Sequence, residues 1–162
     1  MNDDLIPPVP PAKDLKERPS RARYDKVKST LDLKWRRRAL QSERMTRELA
    51  DLLWDNFGGS PWTWCGFWHL QPDGKAFQPG PARPEPAAAA IPAEGAIAEA
   101  LKTGDSKSGA TTIFVPVFDK NARVWAVFEA RSTVAFDDMD ARWIERLFKP
   151  FMTLDKSPLP PA

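Results

Sequence analysis

Residues 62–70 read Trp-Thr-Trp-Cys-Gly-Phe-Trp-His-Leu. The run is too short for a comfortable helix, and its density of aromatic side chains predicts a buried strand. Alternation along such a strand puts Trp64 and Trp68 on one face and turns Cys65 away from them. Upstream, residues 23–57 contain neither Pro nor Gly, and Leu31, Trp35, Leu40, Met45, Leu49, Leu52 and Leu53 recur at roughly helical spacing, which predicts one or two helices. Phe57-Gly58-Gly59-Ser60-Pro61 then supplies both a stop and a turn.

Downstream, Gln71-Pro72-Asp73-Gly74-Lys75 is turn chemistry, and residues 76–78 begin a return strand. Residues 79–86 read as loop because of their prolines. The Ala-rich residues 87–91, bracketed by Pro86 and Pro92, read as a further strand. Residues 94–103 place Ile97, Ala100 and Leu101 on one face and stop at Gly104, a short helix. Residues 111–118 and 122–132 are rich in β-branched and aromatic side chains and form a hairpin about Asp119-Lys120-Asn121. Residues 137–147 form the last helix, with Asp137, Asp138 and Asp140 at its start, where the helix dipole favours anions, and Met139, Trp143, Ile144, Leu147 and Phe148 as its apolar stripe. This order predicts an α+β fold: a mainly antiparallel sheet with the N- and C-terminal helices packed on one face, and the segment between residues 77 and 111 over the other.

At 162 residues the chain is long enough for one domain with flanking tails. The expected boundaries are a Pro-rich basic tail at 1–22, a helical segment at 23–57, the sheet and its helices at 58–155 and a second Pro-rich tail at 156–162. Cys65 is the single cysteine, which excludes an internal disulfide, a Cys-rich zinc site and a CxxC redox pair. No apolar run approaches the roughly 20 residues that cross a bilayer, and the Met1-Asn2-Asp3-Asp4 start is acidic, so an untargeted cytoplasmic chain without a membrane partner is expected. Net charge is +2, yet residues 13–38 hold 11 Lys and Arg against four Asp and Glu. With only Tyr24 and Trp35 as aromatics and with acids interleaved, that segment reads as a solvated helix face or arm in preference to a nucleic-acid or acidic-partner surface.

Five strings in this order resemble a GAF domain, the sensory fold related to PAS domains, and within it the free methionine-R-sulfoxide reductases. They are Trp64-Cys65-Gly66-Phe67-Trp68, Ile91-Pro92 followed by Gly95, Ile113-Phe114-Val115-Pro116-Val117, the strand at 124–132, and Phe136-Asp137-Asp138-Met139-Asp140. The resemblance covers about residues 40–150. It also implies what has been lost. The family's two closely spaced cysteines fall at Ala88 and Ala98, and the loop bearing a third is deleted. Its substrate-binding glutamate falls near Thr112, and its Asp-x-Asp pair falls on Glu129 and Arg131. Sulfoxide reduction needs one thiolate to attack and a second thiol to resolve the adduct, so a non-catalytic module is expected, with residual reductase activity as the alternative.

On this resemblance, alternation gathers Trp64, Trp68, Trp125, Val127, Glu129 and Arg131 on the face that looks into the family's ligand pocket. Two Trp walls with one acid and one base suit a small zwitterion or an aromatic cation; the bland alternative is a collapsed core with a Glu129–Arg131 pair. His69 is the only histidine and reads as structural, the three aspartates as helix-capping, and no metal or other cofactor is expected. GAF domains commonly dimerise through the terminal helices, which makes Trp35, Leu49, Leu53, Trp143 and Leu147 candidates for a homodimer seam or for the helix-to-sheet core.

Overall fold

The Pro- and Gly-free stretch folds as two helices, α1 (Arg21–Trp35) and α2 (Ser42–Phe57). The computed structural model describes residues 21–36, 40–108 and 111–155. The two Pro-rich tails lie outside these residues, apart from Arg21 and Ala22, which open α1; so does part of the basic segment. Helix α1 buries Tyr24, Val27, Leu31 and Trp35, every third or fourth residue, and α2 buries Met45, Leu49, Ala50, Leu53 and Phe57.

A six-stranded antiparallel sheet follows: β1 (Trp62–Leu70), β2 (Ala76–Arg83), β3 (Ile91–Pro92), β4 (Lys107–Ser108), β5 (Thr112–Phe118) and β6 (Val124–Ser132), in the order β3-β2-β1-β6-β5-β4. Helix α3 (Gly95–Thr103) precedes β4. Helix α4 (Asp138–Leu147) and a 3-10 turn (Lys149–Thr153) close the described chain. The expected α+β architecture is therefore present.

Two boundaries differ from the sequence expectation. Strand β2 continues through Pro79 and Pro81 to Arg83, where a loop was expected. Its neighbour β3 pairs only with Ala76 and Phe77, so both prolines fall where the outer side of β2 is unpaired, while β1 meets its inner side with Trp68 opposite Pro79 next to a register slip. The Ala-rich residues 87–90 form no strand; pairing there is confined to Ile91 and Pro92.

The central strands β1 and β6 place Cys65 opposite Ala130 and Phe67 opposite Phe128 on the helix-covered face. Ile113, Val115 and Val117 of β5 extend that face, and Trp143, Ile144, Leu147, Phe148 and Phe151 cover it together with α1 and α2. Phe67 meets Phe128 at 5.1 Å and Phe148 at 5.6 Å between ring centroids, tilted arrangements favourable for aromatic pairs. The opposite face carries a smaller core of Trp68, Phe77 and Val127 under Ile97 and Ala100 of α3.

Two bulges sort the tryptophans between these cores. The register between β1 and β6 slips between Trp62 and Trp64, which carries Trp62 to the helix side, stacked at 4.6 Å on Phe57. Gly66 has a different constraint: a Cβ there would overlap the Ala82 Cβ and come within 2.8 Å of the Trp64 ring. Replacing Gly66 by Ala is expected to destabilise the domain by about 1–3 kcal/mol in urea unfolding, because β2 and the Trp64 ring must shift to admit the methyl group.

Helix α4 opens on a reciprocal capping box. The Asp140 N–H donates to Asp137 Oδ1 at 3.1 Å, and the Asp137 N–H donates to Asp140 Oδ2 at 2.9 Å. The Tyr24 hydroxyl donates to Asp140 Oδ1 at 2.9 Å, so the same carboxylate fastens α1 to α4. Burial pushes the Asp140 carboxyl from 3.8 up to about 6 and pushes the Tyr24 hydroxyl well above its ordinary value. The native state thus holds the Asp140 proton more tightly than the unfolded chain. Its contribution to stability is fully present below pH 3.8 and lost as pH rises through about 6. Asp140→Asn removes this titration. In thermal melts the advantage of the parent over the variant should shrink from pH 4 to pH 7; a gap independent of pH would contradict the assignment.

Candidate functional site

Strand β1 supplies Trp64 and Trp68, and β6 supplies Val127, Glu129 and Arg131, to the face under α3. Register places Trp64 opposite Arg131, Gly66 opposite Glu129 and Trp68 opposite Val127. The missing side chain at Gly66 leaves the centre of this patch to the residues on either side of it. The Trp68 indole Nε1–H donates to Glu129 Oε1 at 2.9 Å, and Arg131 Nε donates to Glu129 Oε2 at 2.8 Å. The Arg131 guanidinium lies 4.7 Å from the centroid of the Trp64 ring, and Trp64 Nε1 donates to the Glu85 carbonyl at 3.0 Å. The four side chains form one chain of contacts, Trp68 to Glu129 to Arg131 to Trp64.

Burial grades along that chain. Trp68 is 3% exposed, Val127 0% and Glu129 6%, whereas the Arg131 side chain is 50% exposed. A carboxylate as buried as Glu129 is tolerable only when its oxygens are satisfied; here each accepts a hydrogen bond, one of them from a cation. The inner end is closed by Ile97 and Ala100 of α3, as expected for the segment after residue 77. The outer end is an arginine held on edge by Glu129 and on its face by Trp64. One of its five N–H groups, Nε–H, is committed to Glu129.

Five of the six residues expected on this face are there. Trp125 is not. The β5–β6 register slips between Val117 and Phe118, an extra residue on β6 that turns Trp125 to the helix side, 5.7 Å from Phe151 and 5.7 Å from His69. Strict alternation could not have found this. Phe77 and Phe114 pack against the cluster from β2 and β5; both lie in aromatic strand segments, but only the register says which face they occupy.

Cys65 is fully buried on the helix side, with Sγ 3.9 Å from the Ala50 carbonyl, and burial pushes its thiol far above the usual range. Ala88 lies exposed in the connection before β3, and Ala98 is on α3. The thiol and these two alanines are on opposite sides of the sheet. Among the described residues no group of three or more His, Cys, Asp or Glu side chains is placed to hold a metal, and no helix is long and apolar enough to cross a membrane. Trp35, Leu49, Leu53, Trp143 and Leu147 are all at most 7% exposed and sit in the helix-to-sheet core, the second of the two places expected for them.

No protein-family model and no curated protein matches the chain, but solved structures do. fRMsr of Staphylococcus aureus in its reduced form superposes with a TM-score of 0.70 at 19% identity, over 83% of this chain and 97% of the other. A GAF domain gives 0.71 at 16% identity, over 86% and 89%. The fold is GAF-like. Free methionine-R-sulfoxide reductase from Neisseria meningitidis, in complex with its substrate, gives 0.68 at 20% identity over 83% and 90%. At these identities the GAF-like likeness is one of fold.

The burial of Cys65 yields a direct expectation. In native buffer the thiol should resist an aromatic disulfide reagent for hours and react within minutes in denaturant; rapid labelling of the folded chain would contradict its placement.

Proposed function

We propose that this chain is a non-catalytic, GAF-like sensory or protein-interaction module that works in signalling or regulation and binds a small molecule at the Trp64–Arg131 end of the α3-covered face. The observation that carries this reading is the contact chain from Trp68 through Glu129 and Arg131 to Trp64. It neutralises a buried acid internally and leaves a half-exposed guanidinium beside an indole. Such a pair suits a small carboxylate-bearing or zwitterionic molecule: the carboxylate pairs with Arg131 and a flat apolar body lies against Trp64. Because Glu129 already accepts from Trp68 and Arg131, a ligand cation would have to displace the arginine.

Reductase chemistry is disfavoured by the thiol itself. A single buried cysteine, with burial opposing its thiolate, offers neither an attacking nor a resolving sulfur. The free methionine-R-sulfoxide reductase structure with its substrate indicates that this fold can hold a small amino-acid derivative; for this chain, that supports binding without turnover.

Native mass spectrometry of the full-length chain tests the reading. A small molecule released on denaturation, and missing from Arg131→Ala, is the expected result. Bare spectra for both, with equal melting temperatures, would contradict it. Turnover of methionine-R-sulfoxide with dithiothreitol that disappears in Cys65→Ser would overturn the non-catalytic half of the proposal.

A further inference from the structure

At the end of the sheet, where β1 enters the turn to β2 and β6 leaves the turn from β5, lies a cavity of about 270 Å³. Leu70, Pro72 and Trp125 supply its apolar surface, and His69, Gln71 and Arg123 supply its polar one. Among the described residues no acidic side chain lines it. This cavity is distinct from the Trp64–Arg131 end, since it wraps the other end of β6, with Trp125 on the helix side of the sheet and Leu70 and Val124 against the α3-side core.

Three local devices hold its groups in place. The bulge at Trp125 aims a large indole beside the His69 imidazole, ring centroids 5.7 Å apart. Gly80 on β2 makes space for that imidazole: a Cβ there would come within 2.8 Å of His69 Nε2. Arg123 stands on a turn fastened by Asp119, which is fully buried. Asp119 Oδ1 accepts from the Asn121 N–H at 2.8 Å and the Arg123 N–H at 3.1 Å, and the Asp119 N–H donates to the Arg123 carbonyl at 2.9 Å. Ala122, between them, is held at a φ of 60°, a conformation that costs energy for a residue with a Cβ and persists only when its surroundings impose it. Among the described residues no carboxylate pairs with the exposed Arg123 guanidinium.

We propose that this cavity is a binding site for a small planar organic anion, of the aryl carboxylate class. The aromatic body lies on Trp125 between Leu70 and Pro72. The carboxylate takes a charge-assisted bond from Arg123 and a further hydrogen bond from Gln71. A rigid turn under the cation lowers the ordering cost of binding. An organic cation of the same shape meets the Arg123 guanidinium with no acid among the described lining residues to pair it.

Benzoate is the probe, titrated into the isotope-labelled full-length chain with nitrogen-15 amide and indole spectra as the readout. Saturable shifts are expected at residues 69–71 and 123–125 and at the indole N–H that disappears in Trp125→Phe. A dissociation constant of about 1 mM suits so small a ligand. Benzamide, with the same shape and no charge, and the variant Arg123→Gln should each weaken binding roughly tenfold, the latter with an unchanged melting temperature. Shifts that never saturate, equal affinity for benzamide, or parental affinity in Arg123→Gln would overturn the proposal. Shifts centred on Trp64 and Arg131 would overturn it too and assign the anion to the other end of β6, so this site and the one at Trp64 and Arg131 fail separately.

Discussion

The pairing of β1 with β6 is the constraint on which the rest of the molecule depends. Both strands are rich in large apolar side chains on each of their faces, and together they occupy the middle of the sheet. A sheet that is apolar on both sides cannot leave either side in water, so each needs a covering layer. On one side α1, α2, α4 and the 3-10 turn provide it; on the other, a single short helix does. That asymmetry creates the site. The thick layer buries Cys65 and Phe67 completely, whereas the thin layer covers Trp68 and stops short of Trp64 and Arg131.

Placement of the indoles is decided by single extra residues. Without the slip near Thr63, Trp62 would share the α3-covered face, and the thick core would lose its stack on Phe57. Without the slip at Trp125, that indole would lie beside Val127, and the cavity near Arg123 would lack its aromatic wall. Gly66 acts through absence: its hydrogen side chain admits β2 at close range and lets Ala82 and the Trp64 ring take the space a side chain would fill. The same short stretch of β1 therefore fixes the sheet, the position of Trp64 and the inertness of the thiol.

Element types and their order were legible in the sequence because helical spacing over 23–57, alternation in 62–70 and the acids before α4 report local physics. The aspartates there are capping groups, and Asp140 does more than cap, since Tyr24 reaches it from the far end of the chain. What local patterns could not give was register. A bulge inverts the faces of everything beyond it, so Trp125 departs from the face that simple alternation assigns while Val127, Glu129 and Arg131 remain. Proline rules also misled at Pro79 and Pro81, because whether a strand tolerates proline depends on whether a neighbour pairs there. Spacing likewise reveals an apolar stripe, but only packing tells whether the same chain covers it, as it does at Trp35, Leu49, Leu53, Trp143 and Leu147.

The claim at the centre of this account is that Glu129 seals the inner end of the site by holding Trp68, while the Arg131 end stays open. Hydrogen exchange of the indole N–H groups reads this directly. The Trp68 indole should exchange far more slowly than an exposed indole and become fast in Glu129→Ala. Rapid exchange of the Trp68 indole in the parent, or slow exchange that survives the loss of Glu129, would contradict it.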